Sequence, residues 1–272
     1  MKNTVLITGA SAGIGKATVK YFNEKGWNVI ATMRSPEKEE ELTQLEDVLV
    51  TRLDVLDLDS INSAILEGTE KFGKIDALVN NAGYGAYGPL EAFERDSILR
   101  QFNTNVIGLM DVTRAILPHF RANKNGAIVN ISSIGGKMTF PLGSLYHGTK
   151  FAVEGISEAL SYELSQFGVK VKIVEPGAIA TDFAGRSFDF QNDESMLEYQ
   201  QLVSTLWDGF GDALANAATP DVVAEVIYTS ITDGTDQLRY TAGEDAKMYM
   251  AARKEQEDGE FIGALRERFG LK

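Results

Sequence analysis

Thr8-Gly9-Ala10-Ser11-Ala12-Gly13-Ile14-Gly15 follows the apolar run Asn3–Thr8 and opens a segment of helical period. In that segment Ile14, Ala17, Thr18, Tyr21 and Phe22 share one face. A glycine-rich turn between a strand and a helix lets the backbone approach a phosphate, and the helix N-terminus offers it unpaired N–H groups. The spacing is G-x-x-x-G-x-G, not the commoner G-x-G-x-x-G. The same residues also match G-x-S-x-G, the nucleophile elbow of serine hydrolases. That elbow usually has several earlier strands beneath it, and here one precedes. Its histidine should follow an acid late in the chain, whereas His119 and His147 fall mid-chain on helical patterns. The turn therefore reads as a dinucleotide-phosphate site.

Outward from the turn, strands and helices alternate. Strand patterns cover Trp27–Met33, Val48–Leu53, Asp76–Asn80, Ala127–Ile131, Val169–Glu175 and Leu238–Thr241. Helical patterns cover Glu37–Leu45, Asp59–Phe72, Glu94–Phe120, Ser144–Gln166 and Pro220–Ile231. Near-continuous apolar strands separated by helices predict an α/β, doubly wound Rossmann fold: a seven-stranded parallel sheet with helices on both faces. One domain over 1–243 is expected, with a substrate lid at about 184–218 and a helical extension over 244–272. Ser187–Thr219 reads as the one long irregular region.

At the end of the second strand, NAD-binding folds carry an acid for the ribose 2′-hydroxyl. Met33 stands there, and Arg34 follows. A guanidinium suits a 2′-phosphate, so NADP(H) is expected over NAD(H).

Composition narrows the chemistry. The 272 residues include no cysteine and two histidines. That removes disulfides, Cys nucleophiles and thiolate or three-histidine metal sites, and no metal is expected. The N-terminus lacks a secretory h-region, and no stretch approaches a membrane span, so a cytoplasmic protein without a membrane partner is expected. The net charge is −13, and the stretch Ser187–Leu238 holds ten acids and no Lys or Arg. Nucleic acid is an unsuitable partner for such a surface. The acids read first as a solvated face. A repulsive field against anionic substrates, and hence poor activity on carboxylates, is the functional alternative.

Ser132-Ser133 closes one strand, and Tyr146-His147-Gly148-Thr149-Lys150 opens a helix. Tyr146 and Lys150, four apart, share a helix face. A free phenol has a pKa of about 10, and a nearby ammonium favours its ionised form. A serine beside the phenol can hydrogen-bond a carbonyl oxygen. Such a site moves protons without His or Cys. His147 reads as a partly exposed helix residue, and His119 is assigned no role.

Together the glycine turn, Asp54-Val55, Asn80-Asn81-Ala82-Gly83, Asn105, Ser133, Tyr146-x-x-x-Lys150 and Pro176-Gly177-Ala178-Ile179-Ala180-Thr181 resemble the short-chain dehydrogenase/reductase family. The marks occur in the family's order across residues 8–181. The chain resembles its 17β-hydroxysteroid dehydrogenase-like and carbonyl reductase branch, whose members share a C-terminal extension. The resemblance implies Tyr146 as general acid in reduction and base in oxidation. It implies Lys150 as the group that lowers the phenol's pKa and holds the nicotinamide ribose. Ser133 would orient the substrate oxygen, and Asn105 would hold a water of the proton relay. Gly9, Ser11, Gly13, Ile14 and Gly15 would line the pyrophosphate. Asp54 and Val55 would meet the adenine, and Asn81, Ala82 and Gly83 its ribose. Pro176, Gly177, Ile179 and Thr181 would border the carboxamide. Ala12 stands where many NADP-dependent relatives carry a basic residue, so the NADP reading rests on Arg34 and the missing acid.

The variable segments hold Tyr84 and Tyr87; Met138, Phe140 and Leu142; and Phe183, Phe188, Phe190, Met196, Trp207 and Phe210. They suggest a small hydrophobic carbonyl or alcohol substrate. The expected assembly is a homodimer through Glu94–Phe120 and Ser144–Gln166, with a tetramer as the alternative; the extension is expected to block the tetramer contact or to cover the substrate site. The leading reading is an NADP(H)-dependent oxidoreductase. A non-catalytic NADP(H)-sensing regulator and an epimerase or dehydratase of the same superfamily are the alternatives.

Overall fold

A computed structural model describes residues 2–181, 185 and 187–271. In chain order its strands are β1 (Thr4–Ile7), β2 (Asn28–Met33), β3 (Val48–Arg52), β4 (Ala77–Asn80), β5 (Gly85–Tyr87), β6 (Gly126–Ile131), β7 (Val169–Pro176), β8 (Phe188–Phe190) and β9 (Arg239–Ala242). Its α-helices are α1 (Gly13–Glu24), α2 (Leu58–Phe72), α3 (Arg95–Phe102), α4 (Leu109–Asn123), α5 (Ser144–Ser165), α6 (Leu197–Ala215), α7 (Pro220–Thr232), α8 (Glu244–Glu255) and α9 (Asp258–Arg268).

Seven strands form one sheet in the order β3-β2-β1-β4-β6-β7-β9. Every pairing in it is parallel, with Val5 opposite both Val29 and Ala77. This is the expected doubly wound sheet. Alternation along each strand divides the core in two. Val5 and Ile7 pack with Val19 and Phe22 of α1 and Val223 and Ile227 of α7. Leu6 points the other way, to Ile61 of α2 and Ile116 and Phe120 of α4. The strand order reverses between β1 and β4, which opens a crevice at their C-terminal ends. The glycine turn lies at its mouth.

Three local readings change. The expected helix over Glu37–Leu45 is two 3-10 turns, Pro36–Lys38 and Leu42–Gln44. The expected single helix Glu94–Phe120 is α3 and α4 joined by a π-helical turn, Asn103–Gly108. Such turns often mark functional sites. Ser187–Thr219 is not irregular: it contains β8, which pairs in parallel with β5, and the long helix α6. Val203, Leu206 and Phe210 do have helical spacing, but Gly209 and Gly211 weaken the pattern. Ala184, where the expected lid begins, and Phe183 lie outside the described residues. The extension folds back onto the body: Ala246 of α8 and Phe261 of α9 bury against Ile134 and Met138.

Candidate active site

The ends of β1 and β4 are laced together. Thr8 Oγ1 accepts from the N–H groups of Asn81 and Ala82, both at 3.0 Å. Asn81 Nδ2 donates to the carbonyls of Thr8 and Gly9 at 2.9 and 3.1 Å. Gly9 and Gly13 have φ of 67° and 51°, the left-handed region that glycine alone enters freely. A Cβ on Gly15 would stand 2.3 Å from the Gly9 carbonyl oxygen. The turn is thus closed to side chains and exposes its backbone to the crevice. Gly13 meets Thr181 of the loop after β7, within 3.2 Å of its methyl group if a Cβ were present.

At the end of β2, Met33 is buried and Arg34 is exposed. Among the described residues Arg34 pairs with no carboxylate. Two of the acids that follow are already engaged: Lys16 holds Glu39 and Glu41 at 3.1 and 2.9 Å, and Lys20 also pairs with Glu41. A free guanidinium at the crevice edge fits an anionic group on the cofactor's adenosine end.

Ser133 follows β6. Its Oγ accepts from the Gly135 N–H at 3.0 Å, fixing the start of a 3-10 turn, and its hydroxyl bonds the Tyr146 phenol. Tyr146 and Lys150 sit one turn apart on α5. Lys150 Nζ donates to the Ile131 carbonyl at 2.8 Å and lies 5.7 Å from the Tyr146 ring centre. Burial pushes the phenol up to about 12, opposed by the Ser133 hydrogen bond. Burial pulls the Lys150 amine down to about 8, opposed by the charge of Glu154. Burial therefore sets the direction of the phenol's shift, and the opposing cause is Ser133, not the expected Lys150.

Asn105 sits in the π-helical turn and is buried, outside the wall of the cavity. Its side chain accepts from Tyr84 N–H at 3.1 Å and donates to the Tyr84 carbonyl at 2.9 Å and to Thr149 Oγ1 at 3.1 Å. Thr149 Oγ1 in turn donates to the Tyr146 carbonyl at 2.7 Å. Asn105 thus steadies the helix that carries Tyr146.

His147 is buried, not partly exposed. Its Nε2 accepts from the Phe140 N–H at 3.0 Å, which leaves Nδ1 to donate to the Gly135 carbonyl at 3.0 Å. Burial lowers its pKa to about 4. His119 Nε2 accepts from the Ile75 N–H at 3.0 Å, a contact that ties α4 to the start of β4.

One cavity of ≈ 760 Å³ joins these parts. Gly9, Ser11, Gly13, Ile14, Arg34, Asp54, Val55, Asn81, Ala82 and Gly83 line one end. Ser133, Tyr146, Lys150, Pro176, Gly177, Ile179 and Thr181 line its middle. Gly15 lies behind the turn, outside the lining. The far end is aromatic: Tyr84, Tyr87, Phe140, Phe188, Trp207 and Phe210 line it, whereas Met138, Leu142, Phe190 and Met196 do not. Tyr87 stands 5.5 Å from Tyr146 and 5.2 Å from Phe188, centre to centre. The C-terminal extension adds Tyr249, Arg268 and Phe269, which nothing local in the sequence marked. Among the described residues Asp189 is the one acid of the stretch that lines the cavity, and Arg100 pairs with it. That favours a solvated acidic face over a field directed at the substrate.

Comparison with known proteins shows the family and agrees with the fold. A family model for short chain dehydrogenases matches residues 3–192. An uncharacterised oxidoreductase of Schizosaccharomyces pombe is 46% identical, over 88% of this chain and 100% of that protein. Estradiol 17-beta-dehydrogenase 1 of Rattus norvegicus is 32% identical, over 87% of this chain and 72% of its own. Among solved structures, a short-chain dehydrogenase from Streptomyces avermitilis superposes with a TM-score of 0.86 at 30% identity. It covers 99% of this chain and 98% of its own, so the extension is included. ElxO with NADP bound superposes at 0.74 with 31% identity, over 89% of this chain and 97% of its own.

Proposed function

The chain belongs to the short-chain dehydrogenase family and is an oxidoreductase of it; from that premise we propose that it moves a hydride between NADP(H) and a hydrophobic ketone, aldehyde or secondary alcohol. The observation that carries this reading is the Ser133–Tyr146 hydrogen bond, set in a cavity that runs from the glycine turn to an aromatic chamber.

The cofactor, when bound, supplies or accepts the hydride at its nicotinamide ring. The turn Gly9–Gly13 cradles its phosphates through backbone N–H groups. Arg34 meets the 2′-phosphate, and the NADP bound by ElxO supports that choice. Lys150 steadies the nicotinamide ribose. Ser133 donates to the substrate oxygen and fixes its position. In reduction Tyr146 Oη gives its proton to that oxygen; in oxidation it takes the proton back. Asn105, through Thr149, keeps Tyr146 in place. The walls formed by Tyr87, Phe140, Phe188, Trp207 and Phe210 exclude water and suit an apolar body beside the reacting carbonyl.

Two further readings belong to this proposal. The protein works in the cytoplasm; among the described residues no helix is long and apolar enough to cross a membrane. It works as a homodimer through α4, α5 and the π-helical turn, where Ile107, Phe151 and Tyr162 are exposed. A tetramer in light scattering would argue against the extension as a block.

A panel of ketones and aldehydes, assayed by NADPH and NADH oxidation, tests the activity. NADPH should be oxidised with bulky apolar carbonyls and faster than NADH. Absence of oxidation with every carbonyl would overturn the proposal.

A further inference from the structure

Behind Lys150, α5 carries two more ionisable side chains at one-turn spacing, Glu154 and Glu158. Glu154 is 4% exposed, and Glu175, at the end of β7, is 1% exposed. Arg239 of β9 donates from Nε to Glu154 Oε2 at 2.8 Å and from its terminal nitrogen to Glu158 Oε2 at 2.6 Å. Its Nε stands 3.8 Å from Glu175 Oε1. The other Glu154 oxygen, Oε1, and Glu175 Oε1 are both buried and accept no hydrogen bond. The two carboxyl groups lie within hydrogen-bonding reach of each other.

Ionised carboxylates cannot donate, and two carboxylate oxygens buried side by side without a donor are costly. A single proton between them satisfies both. We propose that Glu154 and Glu175 share one proton as a carboxyl–carboxylate pair, and that Glu154 is a positioning residue whose charge holds Lys150 as an ammonium. The second half rests on the proposed function; the first does not.

The surroundings favour one proton over two or none. Facing Glu175 are Glu154 from α5, Arg239 from β9 and Lys137 from the turn after β6, and Glu158 engages the other side of Arg239. From α8, Asp245 is already engaged by the Ala178 N–H at 2.7 Å. Lys172 points to the opposite face of the sheet, where Tyr240 and the carbonyls of Thr235 and Gln237 hold it. Burial pushes Glu175 up to about 7; the charge of Glu154 adds to the rise, and Arg239 and Lys137 oppose it. The 3-10 turn seals the pair from above. A Cβ on Gly136 would stand 2.9 Å from Glu154 Cγ, so only glycine lets the turn close.

Infrared spectroscopy of the full chain tests the pair without any turnover. At about pH 6, where free carboxyl groups are ionised, a carboxylic acid carbonyl band should be present. It should fade above about pH 7 and be missing from Glu175→Gln, whose amide mimics the protonated partner. No such band at pH 6 would overturn the shared proton. The pH profile of NADPH oxidation tests the positioning. In Glu154→Gln the alkaline limb of kcat should move to lower pH by about one unit, with KM unchanged. An unmoved limb would overturn the positioning role. A band without turnover with any carbonyl would leave the pair standing and sink the proposed function and, with it, the positioning role.

Discussion

His147 accepts the Phe140 N–H through Nε2 at 3.0 Å, so the residue next to the phenol clasps the loop that walls the substrate chamber. The acceptor must be neutral. Its pKa is lowered from 6.5 to about 4, chiefly by burial. The stability it contributes is therefore fully present above about pH 6.5 and is lost as pH falls through about 4. The loss across that window is about 3 kcal/mol. The stability difference between the wild type and His147→Leu, measured by urea unfolding, should shrink steadily as pH falls over this window. A constant difference would refute the clasp.

Glu175 works in the opposite sense. Its pKa in the fold is raised above 4.5 by burial, so the folded chain binds a proton that the unfolded chain has released. Its stability contribution is present below about pH 4.5 and is lost as pH rises toward 7. Glu175→Gln should flatten this decline. Urea unfolding of the two proteins at pH 5 and pH 8 checks it, and the gain from the substitution should be larger at pH 8.

Arg34 lines the cavity just after β2 and has no carboxylate partner among the described residues. Arg34→Ala should weaken NADPH roughly ten- to hundredfold, the size of a lost charge-assisted hydrogen bond, and leave NADH nearly unchanged. Titration calorimetry with each cofactor gives the comparison. Equal losses would mean that Arg34 does not read the 2′-phosphate.

Phe269, from the extension, buries among Tyr87, Leu206 and Phe140 at the chamber wall. Its ring centre is 6.4 Å from that of Phe140. Phe269→Ala should raise KM for small apolar ketones about tenfold, because an apolar wall worth 1–2 kcal/mol is gone. Bulkier ketones should gain relative to small ones. An unchanged preference would place Phe269 outside substrate selection.

The fold was legible because most sheet strands are short apolar runs and most motifs lie at a strand's end, where a parallel sheet gathers its ligands. Thr8–Gly15, Asn81–Gly83, Ser133 and Pro176–Thr181 converge for that reason alone. What sequence could not show depends on distant partners. Glu154, Glu175 and Arg239 come together from α5, β7 and β9, and no local spacing joins them. The one signal was Glu175 itself, a carboxylate closing the apolar run Val169–Glu175. His147 read as partly exposed because a helix pattern does not reveal that a loop folds over it. The helix α6 was hidden by its two glycines, and β5 and β8 are too short to show a period.

The central claim is that Tyr146 is the proton donor of a hydride-transfer site. Tyr146→Phe keeps the ring that packs against Tyr87 and removes only the hydroxyl that Ser133 holds. NADPH oxidation with an apolar ketone, measured beside NADPH affinity, tests it directly. Turnover should fall by about 10²–10⁴ while NADPH binds as in the wild type. Wild-type turnover in Tyr146→Phe would contradict the account.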